Sequence, residues 1–132
     1  MKKTFFLFLI ISVLYSVENT QNGILFSYKN QNAQSVFLVG SMNNWNVTAT
    51  PMRVDESGAW NITLKLEPGK YLYKFMVDGG WKSDEENPNV EEDGYGGFNS
   101  VIEISSNGML IQQSIEESKG IRSNFNEKIL KV

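Results

Sequence analysis

Residues 70–78 constrain this chain more than any other stretch. Tyr71, Tyr73, Phe75 and Val77 fall on one side of an alternating pattern, and Leu72, Lys74 and Met76 fall on the other. A period of two belongs to an extended strand, because successive side chains point to opposite faces. The aromatic side is large enough to demand a core. Gly79-Gly80 follows and predicts a tight hairpin turn, with Trp81 opening the return strand.

The same period recurs along the chain. Ile24, Phe26 and Tyr28 alternate with Leu25, Ser27 and Lys29, and Trp60, Ile62, Leu64 and Leu66 share one face of Ala59–Leu66. Ser35–Val39, Met52–Val54 and Asn99–Ile104 are further short strands. Asp55–Gly58 and Glu67-Pro68-Gly69 carry turn chemistry, while Ser41–Thr50, with its asparagines, and Lys82–Phe98 are loops. About seven short strands separated by turns, with no long helical pattern, predict an all-β fold: an antiparallel, immunoglobulin-like β-sandwich.

The two ends differ from this middle. Lys2 and Lys3 precede a mostly apolar run from Thr4 to Tyr15, and Leu14 and Ser16 stand at the −3 and −1 positions of a cleavage site before Val17. This is the pattern of a secretory signal peptide over residues 1–16. The run is short of the roughly 20 apolar residues that span a bilayer. Export to the periplasm or the extracellular space is therefore expected, with no stable membrane anchor after cleavage. Residues 17–22 are polar and are expected to be a linker, leaving the sandwich in residues 23–104. Residues 105–132 form a short C-terminal tail, where Met109, Leu110, Ile111 and Ile115, then Ile121, Phe125, Ile129 and Leu130, suit a peripheral strand or helix.

Composition narrows the chemistry. The chain has no histidine and no cysteine, which excludes a Ser-His-Asp triad, a Cys-His pair, a histidine-ligated metal and any disulfide. A net charge of −3 argues against nucleic acid as a partner. Asp84, Glu85, Glu86, Glu91, Glu92 and Asp93 crowd one loop. Their order does not fit an EF-hand calcium loop, and one loop does not set two carboxylates across a cleft for glycoside hydrolysis. A solvated acidic loop is the favoured reading, with no catalytic residue, metal or cofactor.

The three tryptophans separate by position. Trp60 is in phase with Ile62 and Leu64 and belongs to the core. Trp45 lies in the asparagine-rich loop and Trp81 at the hairpin end. Large aromatics in polar settings mark contact surfaces, although both rings could instead cap the ends of the sandwich. Flat indoles rimmed by polar side chains suit sugars, because the C–H face of a pyranose can leave water against the ring. Burying one such face contributes about 1–3 kcal/mol, and each rim hydrogen bond adds about 0.5–1.5 kcal/mol. Lys74 is on the face opposite the aromatic stripe, available to such a rim or simply solvated.

The motifs Gly40-Ser41-Met42-Asn43-Asn44-Trp45, Leu64-Lys65-Leu66-Glu67-Pro68-Gly69 and Tyr73-Lys74-Phe75-Met76-Val77-Asp78-Gly79-Gly80-Trp81 occur in that order. Together they resemble the family-48 carbohydrate-binding modules, which include the glycogen-binding domain of AMP-activated protein kinase beta subunits and the N-terminal domains of isoamylases and branching enzymes. The resemblance spans residues 34–104. It implies an early-set immunoglobulin-like fold that binds α-1,4-glucan such as glycogen, starch or maltodextrin. It also implies that Trp45 and Trp81 stack on sugar rings, that Lys74 and Asn99 hydrogen-bond hydroxyls, and that Tyr95 supplies a further apolar contact. Gly97 stands where the family has a small polar side chain. Three classes of function follow: a non-catalytic glucan-binding protein, an accessory module of a glucan-processing enzyme partner, or a protein-interaction module with a vestigial sugar site.

Overall fold

The computed structural model describes residues 15–111. The expected export segment up to Leu14 and the expected tail from residue 112 lie outside the described residues.

Among the described residues, nine strands form two antiparallel sheets. In chain order they are β1 (Val17–Thr20), β2 (Gly23–Lys29), β3 (Val36–Gly40), β4 (Arg53–Val54), β5 (Ala59–Leu64), β6 (Gly69–Val77), β7 (Gly80–Lys82), β8 (Val90–Glu92) and β9 (Phe98–Ile104). One sheet runs β1-β2-β5-β4, and the other runs β3-β6-β9-β8 with β7 paired to the end of β6. The fold is the expected all-β, immunoglobulin-like sandwich.

The core lies where the alternation placed it. Ile24 and Phe26 from one sheet meet Val36, Leu38, Tyr73, Phe75, Ile102 and Ile104 from the other. The Phe26 and Tyr73 rings meet edge to face at 5.2 Å, and Tyr28 packs 4.9 Å from Phe75. Trp60 is buried as expected, with its indole N–H donating to the Asn30 carbonyl at 3.0 Å. The other face of β6, carrying Leu72, Lys74 and Met76, is left on the outside of its sheet.

Four local expectations are corrected. Residues 17–20, expected within a linker, form β1, which pairs with β2 from Val17↔Phe26 to Thr20↔Gly23. Ser16 and Val17 are buried, and the Ser16 carbonyl accepts the Ser27 N–H at 2.7 Å. The folded unit thus starts before residue 23, because an edge strand needs only one core-facing residue. The hairpin turn is Asp78-Gly79, one residue earlier than Gly79-Gly80, since Val77 pairs with Gly80. Asp78 (φ 47°) and Gly79 (φ 82°) both take the positive φ that a type I′ turn requires. The expected loop 82–98 contains β8, which pairs with β9. The tail also begins inside the fold: Leu110 bridges to Ile104 and donates its N–H to the Asn19 side chain.

Candidate functional site

The site is built on the outer face of the sheet containing β6. Its first wall is the turn after β3. Gly40 is extended, and a Cβ there would run into the Leu72 carbonyl and lie 2.8 Å from the Tyr73 Cβ. Only glycine lets this strand end so close to β6. Ser41 then accepts the Leu72 N–H on its hydroxyl at 3.1 Å. Asn43 ties the loop together: its carbonyl oxygen accepts the Gly40 N–H, and its amide donates to the Leu38 carbonyl and the Thr50 hydroxyl. Asn44 (φ 55°) and Trp45 (φ 58°) are both left-handed, and the Trp45 N–H donates back to the Gly40 carbonyl at 2.8 Å. The motif is a device for turning the Trp45 side chain over the sheet.

The second wall is the β6–β7 hairpin. Trp81 pairs with Met76 across it, and paired residues share a face, so its indole lies on the same side as Lys74. The two indole centroids are 6.5 Å apart, with planes inclined at 61°. Trp45 is 37% exposed and Trp81 50% exposed. Neither ring is sunk in the core, and the two face one depression rather than opposite poles. They make an angled surface, not the flat platform expected.

The third wall is the β8–β9 hairpin, whose tip is Asp93-Gly94-Tyr95-Gly96-Gly97. Asp93 Oδ1 accepts the N–H groups of Tyr95 at 2.8 Å and Gly97 at 3.0 Å. Its Oδ2 accepts Lys74 Nζ at 2.5 Å. The Lys74 ammonium and the two backbone N–H groups hold the Asp93 carboxyl down at about 2. A Cβ on Gly97 would come within 2.9 Å of Asp93 Oδ2. Glycine at this position therefore makes room for the carboxylate. Tyr95 stands at the tip, 95% exposed.

Trp45, Leu72, Lys74, Trp81, Asp93, Tyr95 and Asn99 together line a depression of about 650 Å³. All five residues singled out from the sequence (Trp45, Lys74, Trp81, Tyr95 and Asn99) are brought to it. Asp93 was missed, because it was grouped with a solvated acidic loop. That grouping needs two corrections. Asp93 is the partner of Lys74, and Asp84 is buried, accepting the Tyr73 hydroxyl at 2.6 Å and receiving the Ser100 hydroxyl as acceptor for its own N–H. Glu91 pairs with Lys70 at the surface. The available signal for Asp93 was the glycine-rich sequence after it, which is that of a hairpin tip needing an anchor.

Comparison with known proteins adds a family to this geometry. The family described as the glycogen recognition site of AMP-activated protein kinase matches residues 23–110, more than half of the chain. Protein PTST homolog 2, chloroplastic, of Arabidopsis thaliana is 45% identical over 73 residues, which are 55% of this chain and 13% of that protein. Protein FLOURY ENDOSPERM 6, chloroplastic, of Oryza sativa subsp. japonica is 38% identical over 63 residues, covering 48% of this chain and 12% of that protein. The 1,4-alpha-glucan branching enzyme GlgB of Halothermothrix orenii is 36% identical over 61 residues, covering 46% and 10% respectively. The chain thus matches only a small part of the length of these curated relatives.

Proposed function

The chain belongs to the family of the glycogen recognition site of AMP-activated protein kinase, and from that premise we propose that it is a non-catalytic module that binds α-1,4-glucan by stacking sugar rings on Trp45 and Trp81. The observation that carries this reading is the pair of exposed indoles, 6.5 Å apart and inclined at 61°, over one open depression. An α-1,4-linked chain turns at every residue, so neighbouring rings present tilted faces. An angled indole pair matches that curvature better than it matches the flat ribbon of a β-1,4-glucan. Lys74 and Asn99 supply donors and acceptors for hydroxyls at the floor, and Tyr95 adds an apolar edge. Two stacked faces at about 1–3 kcal/mol each and a few rim hydrogen bonds give micromolar to millimolar affinity.

The absence of histidine and cysteine supports a non-catalytic role for these 132 residues. The branching-enzyme relatives favour a role beside a glucan-processing enzyme as well as free glucan capture. The Lys2-Lys3 start and the apolar run behind it support export to the periplasm or beyond. An intact Met1 on protein recovered from the cytosol would overturn that part.

The test is migration in a native gel with and without glycogen. The wild type is retarded, and the double variant Trp45→Ala, Trp81→Ala is not. Maltoheptaose quenches the indole fluorescence, while cellohexaose does not. Retardation that survives the double change refutes the site. A flat maltoheptaose titration favours the protein-interaction reading, to which the Lys74–Asp93 pairing already lends an observation, since it withdraws part of the lysine from a sugar.

A further inference from the structure

We propose that the Lys74–Asp93 ion pair is a charge filter, making the cleft select uncharged glucose polymers over polymers of the same backbone that carry anionic groups. The inference rests on the glucan reading of the cleft. Among the residues lining the depression, Lys74 is the one cation and Asp93 the one anion. Their side chains are only 14% and 11% exposed, and their charged atoms are 2.5 Å apart. The pair therefore brings no net charge to the floor of the site. A lysine ammonium has three N–H donors, and one is spent on Asp93. The others can serve a neutral hydroxyl, which needs a donor and no charge.

An anionic substituent meets a different environment. The attraction of Lys74 is already matched by a carboxylate at contact distance, so the anion gains little and faces Asp93 at close range in a partly water-excluded cleft. The carboxylate cannot swing aside. Its Oδ1 is held by the N–H groups of Tyr95 and Gly97 while its Oδ2 faces Lys74.

Two single variants separate this role from general acidity. Asp93→Asn keeps an Oδ1 acceptor for both backbone N–H groups, so the hairpin tip is retained, but its NH2 group replaces the Oδ2 acceptor, so the Lys74 ammonium is released from the pair. Glu92→Gln removes an equal charge from the next residue without touching Lys74. Binding is measured for amylose fragments and for the same fragments oxidised at C6 to carboxylates. The wild type prefers the neutral polymer by about tenfold or more. In Asp93→Asn the preference, read as the ratio of the two affinities on the same variant, narrows to about threefold or less. Glu92→Gln behaves as the wild type. The proposal is overturned if Asp93→Asn keeps the full preference, if Glu92→Gln narrows it as much, or if Asp93→Asn loses amylose too. A wild type that binds no amylose is a separate result, and it overturns the glucan reading together with the filter built on it.

Discussion

Trp45 occupies a backbone conformation that its side chain does not favour. A bulky L-residue in the left-handed region costs roughly 1–2 kcal/mol, and Trp45 sits there at φ 58°, directly after Asn44 at φ 55°. The hydrogen bonds of Asn43 to Gly40, Leu38 and Thr50 hold the turn in this shape. Strain of this kind gathers where a side chain must be presented in a set direction. Glycine is normally the less stable replacement for a structured residue, but at positive φ the order reverses. Trp45→Gly is therefore more stable than Trp45→Ala by about 1 kcal/mol, as read from urea unfolding midpoints, and both variants lose glucan retardation equally. An alanine variant as stable as the glycine variant would mean that the turn relaxes once the indole is gone. The sequence identified Trp45 as an aromatic stranded in a polar loop, which was enough to nominate it. The backbone angle that aims it depends on side-chain hydrogen bonds reaching back to β3, and these have no periodic signature. The partner of Lys74 was hidden for a similar reason, since Asp93 lies 19 positions away and meets it only when β8 and β9 fold back.

At the scale of elements, β6 was the most legible part of the chain because its two faces differ so sharply. The segment after β7 was the least legible, because its acids do different things. Tyr73 donates its hydroxyl to Asp84 and accepts the Asn87 amide at 3.0 Å, and Asn87 also reaches the Val101 carbonyl. Burial, and then the Asp84 charge, push the Tyr73 phenol well above its ordinary range, so it remains a proton donor. This network pins the loop leading to β8 against the core. Tyr73→Phe leaves the buried Asp84 carboxylate short of its phenol donor and Asn87 short of an acceptor. The loss of stability is about 1–3 kcal/mol, measurable by urea unfolding, with faster proteolysis in residues 83–89. Tyr73 points to the core while Lys74 points to the cleft, so glucan affinity of the folded variant is unchanged. A large loss of affinity would instead couple the loop to the site. The strand β8 was missed because Val90-Glu91-Glu92 is exposed throughout. An edge strand with no buried side chain has no alternation to detect, and charged residues are what such an edge needs to resist pairing with other chains.

For the whole molecule, the tryptophan-lined surface proposed to bind glucan and the start of the fold lie on different sheets, so stability and binding can be altered separately. β1 closes the sheet opposite the site. It places Val17 in the core, supplies the ladder to β2, and holds the 105–111 segment through Asn19 and Leu110. In the sequence residues 17–22 look like a linker because only Val17 among them is apolar, and one buried residue leaves no period to recognise. Yet burying a valine contributes about 1.5–3 kcal/mol, and removing β1 also strips β2 of its edge partner. A chain beginning at Gly23, where the sequence alone would start the domain, is thus less stable than one beginning at Tyr15 by at least about 2 kcal/mol. Chemical unfolding of the two shortened proteins measures the difference, and equal midpoints would show that β1 adds nothing. Trp45 is carried by the turn after β3, and Lys74, Trp81 and Asn99 by β6, β7 and β9, none of which pairs with β1. While the shorter chain remains folded, its maltoheptaose titration should therefore overlay that of the longer one.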